Sequence, residues 1–135
     1  MALVDWVLTC DFAYFDPGGR LCVIGADANR VRTVASGTHR LTVVAHLGDD
    51  RGQHLDPVLA LRSPTGAWRA HEDGIAFTRE QRGSCLLLHV PQVTLTEAGT
   101  YTFELALGTT DPVLLELSVI VQESRRQRVH LHGAC

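Results

Sequence analysis

The residues best equipped for chemistry stand at the end of the chain. Glu123-Ser124-Arg125-Arg126-Gln127-Arg128-Val129-His130-Leu131-His132-Gly133-Ala134-Cys135 differs in composition from everything before it. His130 and His132 share one face of an extended segment, with Cys135 close behind, and imidazole and thiolate are both zinc ligands. Without a fourth donor nearby, adventitious zinc binding competes with a built site. Arg125, Arg126 and Arg128 could contact phosphates or an acidic partner, or simply solubilise a flexible end. The terminal thiol of Cys135 could form an intermolecular disulfide or accept a covalent attachment.

The remaining chemistry is dispersed. Of the seven histidines, His39, His46, His54, His71 and His89 lack ligand spacing. There is no nucleophile elbow, no phosphate-cradling glycine loop and no His-Glu-x-x-His motif. His71-Glu72-Asp73-Gly74 is acidic but lacks the spaced oxygens of a calcium loop, so it reads as a solvated turn. Asp5 and Asp11 lie six residues apart on one strand, roughly 20 Å, too far to act as a carboxylate pair. No cofactor is expected, and the chain reads as non-enzymatic. A hydrolase with a site assembled from loops stands only as a third reading, because catalytic residues need not be close in sequence.

The elements that would position these groups follow a period of two, the spacing of half-buried strands. From Leu3 to Phe15, Val4, Trp6, Leu8, Cys10, Phe12 and Tyr14 fall on one face, expected to be inward. Asp16-Pro17-Gly18-Gly19-Arg20 then matches a three-residue hairpin loop, with Pro17 setting the first turn dihedral and Gly19 supplying the left-handed one. The register places Asp16 opposite Arg20, Tyr14 opposite Cys22, Phe12 opposite Ile24 and Cys10 opposite Ala26. Further inward sets are Leu41, Val43, Ala45 and Leu47; Leu86, Leu88 and Val90; Tyr101, Phe103, Leu105 and Leu107; and Leu115, Leu117, Val119 and Val121. A further strand is expected at Val58 to Arg62, a short return strand could start at Ala67-Trp68-Arg69, and Gly74 to Arg79 is a weaker candidate. About eight or nine strands with turns between them indicate an all-β antiparallel sandwich or barrel over residues 1–122, followed by the basic tail 123–135.

Composition bounds the function classes. The chain has 135 residues, 45% of them hydrophobic and 20% charged, which suits one globular domain. Its apolar runs are too short for a membrane-spanning helix, and a net charge of −3 gives no global reason to bind nucleic acid or an anionic membrane. The opening Met1-Ala2-Leu3-Val4-Asp5-Trp6 lacks the pattern of a signal peptide. Cys10, Cys22 and Cys85 sit in apolar runs and read as packed thiols, so the expected location is a reducing cytoplasm. All 12 cationic side chains are arginine. Codon bias explains that most simply; avoidance of amine-directed modification is the sharper alternative.

Residues 86 to 101 end in Val93-Thr94-Leu95-Thr96-Glu97-Ala98-Gly99-Thr100-Tyr101, a strand, an acidic turn residue, Gly99 and then Tyr101 two positions on. This segment resembles the tyrosine corner of immunoglobulin-like domains, in which the phenol hydrogen-bonds the preceding turn. Phe103 stands where antibody-type domains carry their second core cysteine, so the resemblance implies a sandwich without that disulfide. The opening segment from Leu8 to Gly25, with its Cys10-Asp11 pair, Asp16-Pro17-Gly18 turn and Ile24-Gly25 end, resembles a small bacterial β-sandwich family known mainly as a domain of unknown function. That resemblance implies a cytoplasmic bacterial setting and leaves the reaction open.

The resulting expectation is a non-enzymatic protein-interaction or scaffold module, its partner a protein or a second copy of itself. Leu114 and Ile120, outward on the last strand, together with an outward Val44, are expected to supply an apolar contact surface. The alternative is a metal-binding or thiol-dependent attachment role for the tail. Asp16, Pro17, Gly19, Gly99 and Tyr101 are assigned structural roles.

Overall fold

Valine, leucine and threonine recur at alternate positions along much of the chain, and residues of this kind pack well on a pleated, half-buried surface. The computed structural model describes residues 4–26, 29–34, 38–48, 56–66, 69–70, 75–108 and 112–122. They form eleven strands: β1 (Val4–Cys10), β2 (Phe12–Phe15), β3 (Leu21–Ile24), β4 (Arg30–Val34), β5 (Thr38–Leu47), β6 (Pro57–Arg62), β7 (Arg69–Ala70), β8 (Thr78–Arg82), β9 (Cys85–Thr94), β10 (Gly99–Leu107) and β11 (Val113–Gln122). Among the described residues no helix is long and apolar enough to cross a membrane. The excess over eight or nine strands arises in two places. The segment expected as one strand from Leu3 to Phe15 is two, β1 and β2, and β4 has no counterpart in the alternation.

Two sheets face each other across one core. The first has the order β1-β5-β9-β8 and the second β4-β11-β10-β6-β7. All their pairings are antiparallel except β4 with β11, which is parallel. The inward sets expected on β5, β9, β10 and β11 fill the core, joined by Leu59 and Leu61 of β6. Phe103 packs inside this cluster. The strand expected from Gly74 begins later, at Thr78. Ile75 instead enters the core from the preceding loop, its N–H donating to the Leu59 carbonyl.

The turn from β9 into β10 follows the tyrosine-corner pattern in its contacts. The ring of Tyr101 is fully buried, and its hydroxyl accepts the Glu97 N–H at 3.0 Å. A Cβ on Gly99 would come within 3.0 Å of the Pro64 ring, so the corner lies close against the turn after β6.

β2 and β3 form a separate two-stranded hairpin with the register expected for Phe12–Ile24 and Tyr14–Cys22. At its tip Gly19 has φ +85° and its N–H donates to the Asp16 carbonyl at 2.8 Å. The Asp16 carboxylate accepts the Arg20 N–H at 2.8 Å and the Arg20 Nε–H at 2.9 Å. The backbone bond from Arg20 is the main cause holding the Asp16 carboxyl below its ordinary range. Register breaks at the other end: Cys10 does not pair with Ala26 but belongs to β1 and pairs with Thr42 on β5. Asp11 makes the break by donating its N–H to the Ile24 carbonyl at 3.0 Å.

Asp11 and Gly25 fit each other sterically. Gly25 has φ +75°, and a Cβ there would collide with the Asp11 carboxylate. Replacing Gly25→Ala should therefore cost about 2 kcal/mol or more, combining a left-handed backbone with a clash. Denaturant unfolding measures it. Asp11→Ala introduced beside Gly25→Ala should recover part of the loss, because it removes the carboxylate from the clash and leaves the close approach of the residue-11 Cβ and the backbone penalty.

Candidate interaction face

β5 and β9 are the central strands of the four-stranded sheet, and side chains on both of their faces are buried. Leu41, Thr42, Val43, Val44 and Ala45 are buried in succession, as are Leu86, Leu87 and Leu88. Such unbroken runs require cover on both sides. One side is the main core; on the other, Cys10, Ala13, Val44 and Leu87 form a second cluster with Leu8, Phe15 and Leu21 against it. The hairpin provides this cover, with β2 lying against β5 and β9.

The alternation predicts an outward Val44 that contributes to a contact surface. Val44 has no exposed surface, because Ala13 and its neighbours close over it. The inward face expected from Val4 to Tyr14 also needs correction. Leu8 and Cys10 do share a covered face, but the cover is the hairpin and not the opposite sheet. Phe12 and Tyr14 alternate with Ala13 and Phe15, whose side is the one turned to the sheet, so they lie on the hairpin's other face, the Phe12 ring reaching the sheet only at its margin beside His89.

The exposed side of the hairpin is consequently apolar and aromatic. Phe12 is 46% exposed, Tyr14 39% and Ile24 53%. The Phe12–Ile24 and Tyr14–Cys22 pairings place these side chains on one face. Phe12 and Tyr14 stack with ring centroids 5.9 Å apart. Tyr14 stands opposite Cys22, whose thiol is the main cause raising its phenol above the ordinary range. On β1, Trp6 is also exposed and lies on His46 at 5.5 Å and 14° between planes, while Asp5 Oδ2 meets His46 Nδ1 at 3.1 Å.

A polar chain runs beside the aromatic face. Thr42 Oγ1 lies 3.0 Å from His89 Nδ1, and His89 Nε2 lies 3.1 Å from Glu80 Oε1. With the Nε2 proton directed to Glu80, Nδ1 accepts the threonine hydroxyl, an order of groups that also occurs in nucleophilic triads. Access is what differs. Thr42 is 1% exposed within a central strand, and the Phe12 ring stands 5.6 Å from the His89 ring. The arrangement saturates the hydrogen-bonding groups of a hydroxyl under the hairpin and fixes the imidazole against Phe12. Near the hairpin tip, the Arg82 guanidinium sits 5.6 Å from the Phe15 ring centroid.

Leu114 and Ile120 are exposed on β11 of the other sheet, six residues and roughly 20 Å apart along the strand. Glu116 and Ser118 lie between them on the same face, so the two do not form one patch with each other or with Val44. Arg125, Arg126, Arg128, His130, His132 and Cys135 lie outside the described residues, as do Trp68, His54 and the turn from His71 to Gly74. Among the described residues, no group of three or more His, Cys, Asp or Glu side chains is gathered to hold a metal ion. Cys10 is packed as expected, whereas Cys22 and Cys85 are only half-buried; all three are free thiols. Comparison with known proteins gives no match, either among protein-family models or among curated sequences.

Sequence reasoning missed Trp6, Phe12, Tyr14 and Ile24 as surface residues. The signal that could have found them is the pair of unbroken runs Val43-Val44-Ala45 and Leu86-Leu87-Leu88, which call for an additional layer. Beneath that layer, burial is the main cause raising the Cys10 thiol to about 11, and its sulfur donates to the Thr42 carbonyl at 3.6 Å. Because the folded value lies above the unfolded one, this thiol contributes nothing to the pH dependence of stability below about pH 9; between about 9 and 11 the unfolded state loses its proton first and stability falls. Denaturant unfolding across that window should show a decline of about 2–3 kcal/mol from this group, which Cys10→Ala should abolish.

Proposed function

We propose that this protein is a non-catalytic interaction module of immunoglobulin-like architecture that contacts a protein partner through the exposed aromatic face of its β2–β3 hairpin. The observation that carries the reading is the contiguous exposure of Phe12, Tyr14 and Ile24 on a hairpin already anchored by its other face. Large apolar groups grouped on a surface mark contact sites more often than isolated ones do. Aromatic rings held by stacking also lose little conformational freedom on docking.

The immunoglobulin-like part of the reading is supported by strand order. If β1, β5, β9 and β8 are lettered A, B, E and D, the facing sheet becomes G, F and C with flanking strands, which is the immunoglobulin arrangement. The bond from Glu97 to Tyr101 then falls at the E-to-F corner. The β2–β3 hairpin is an addition between the first strand and β4. Residues that carry the resemblance to the bacterial β-sandwich family, Cys10, Asp11, Asp16, Pro17, Gly18, Ile24 and Gly25, form and seat this hairpin. A bacterial cytoplasm as the setting is part of the proposal, and the free thiols of Cys10, Cys22 and Cys85 favour a reducing compartment.

The test compares capture of partners by the full chain, by a Phe12→Ser/Tyr14→Ser variant and by a chain ending at residue 122, with captured proteins identified by mass spectrometry. The double variant should lose a partner that the shortened chain retains, while its unfolding midpoint stays close to that of the parent because both rings are exposed. A partner retained by the double variant and lost with residues 123–135 would transfer the function to Arg125, Arg126, Arg128, His130, His132 and Cys135.

A further inference from the structure

The free edge of the hairpin carries information about what it can join. Asp16 donates its N–H to the Arg20 carbonyl, which makes 16 and 20 a hydrogen-bonded pair. In an antiparallel ladder such pairs alternate, so 14 with 22 and 12 with 24 also direct their main-chain groups into the hairpin. Leu21 and Val23 consequently point their N–H and C=O groups away from β2. Among the described residues no third strand pairs with β3, and neither residue finds a turn or loop partner. Val23 is 38% exposed and Ile24 53%, so this edge is open as well as unpaired.

The edges at β8, β4 and β7 are protected. β8 reads Thr-Arg-Glu-Gln-Arg and β4 reads Arg-Val-Arg-Thr-Val, with charges that oppose docking of another strand. β7 has two residues. By contrast β3 reads Leu-Cys-Val-Ile and is followed by Gly25 and Ala26, without a charge.

We propose that two copies of this chain join through β3, antiparallel across a two-fold axis at Cys22; the inference rests on the reading of the hairpin as the contact element and names its first partner. A two-fold axis perpendicular to a sheet sets one residue opposite its own copy. With Cys22 at the axis, Leu21 lies opposite Val23 of the second copy and each such pair exchanges both main-chain bonds, giving four across the junction. Arg20 comes opposite Ile24 of the second copy, where its aliphatic stem can cover the apolar side chain. No like charges meet. The same operation on β4 would set Arg30 against Arg32 of the second copy, or Arg32 against itself.

Registers centred further along are less favourable, because Gly25 with φ +75° leaves the extended conformation. The edge is short. Four residues per copy bury much less than the roughly 800 Å² per partner of a standard stable interface, so the dimer is weak and depends on concentration. Its consequence is a four-stranded ribbon that presents Phe12, Tyr14, Cys22 and Ile24 from both copies on one face.

Sedimentation equilibrium of the full chain under reducing conditions, over a concentration series, tests this directly. A monomer–dimer equilibrium is expected, with the dissociation constant raised about tenfold or more by Val23→Pro, which removes an N–H not used inside the hairpin. Val23→Lys should act in the same direction and guards against a folding defect in the proline variant. Cys22 supplies a second readout. Opposed residues of a non-hydrogen-bonded pair have Cα atoms about 4.5 Å apart, within disulfide range. Diamide, a two-electron oxidant that takes up both thiol protons, should therefore give a dimer linked through Cys22, and Cys22→Ser should prevent the link while leaving the reversible dimer within about threefold of the parent.

A monomer at every concentration would overturn the inference, as would a dimer indifferent to both Val23 variants or a link mapped to another cysteine. Failure here is distinct from failure of the interaction reading. A monomer that still loses its partner on Phe12→Ser/Tyr14→Ser overturns only the pairing. A β3-dependent dimer whose partner capture ignores those rings leaves the pairing standing and overturns the broader reading.

Discussion

Everything distinctive in this molecule depends on burial of both faces of β5 and β9. A two-layer sandwich needs each sheet to be apolar on one side only. Here Val44 and Leu87 face away from the main core and would lie bare on the outer surface of the four-stranded sheet. Each such side chain is worth about 1.5–3 kcal/mol when removed from water, a large fraction of the stability of a small domain. The chain meets this requirement between β1 and β4, where a break at Asp11 turns it back over the sheet. Ala13, Phe15 and Leu21 then close on Val44, Leu87, Leu8 and Cys10.

That solution determines what remains outside. A two-stranded ribbon has two faces, and committing Ala13 and Phe15 to the sheet turns Phe12 and Tyr14 outward through the strand period alone. The aromatic surface and the seating of the hairpin are thus two aspects of one alternation. Polar groups at its margin serve the same seating. Thr42, His89 and Glu80 satisfy one another beside Phe12, and Arg82 lies against Phe15. His46 and Asp5 support Trp6 at the other end.

Much of the scaffold was legible in the sequence. The alternations on β5, β9, β10 and β11 identify the inward residues, because a strand with one buried face records that face in its period. The turn at Asp16-Pro17-Gly18-Gly19-Arg20 was equally readable, since proline and a left-handed glycine at that spacing leave few geometries. What alternation could not convey is which layer a face meets. Leu8 and Cys10 share a buried side, but the same pattern would arise under a facing sheet or under a hairpin. The break at Asp11 was hidden for a related reason: Phe12 and Tyr14 continue the period of β1, although the backbone has changed direction. β4 was not visible at all, because Arg30-Val31-Arg32-Thr33-Val34 is a five-residue segment with two arginines, of which Val31 packs against the core, a signal too short to distinguish from a loop.

The seating of the hairpin is accessible to nuclear Overhauser measurements on methyl-labelled protein. Contacts are expected between the Ala13 methyl and the methyls of Val44 and Leu87, together with slow solvent exchange of the Asp11 amide, whose bond to Ile24 closes the base of the hairpin. Absence of those contacts, with Val44 and Leu87 open to a soluble paramagnetic probe, would contradict the doubly covered sheet and with it the origin of the aromatic face.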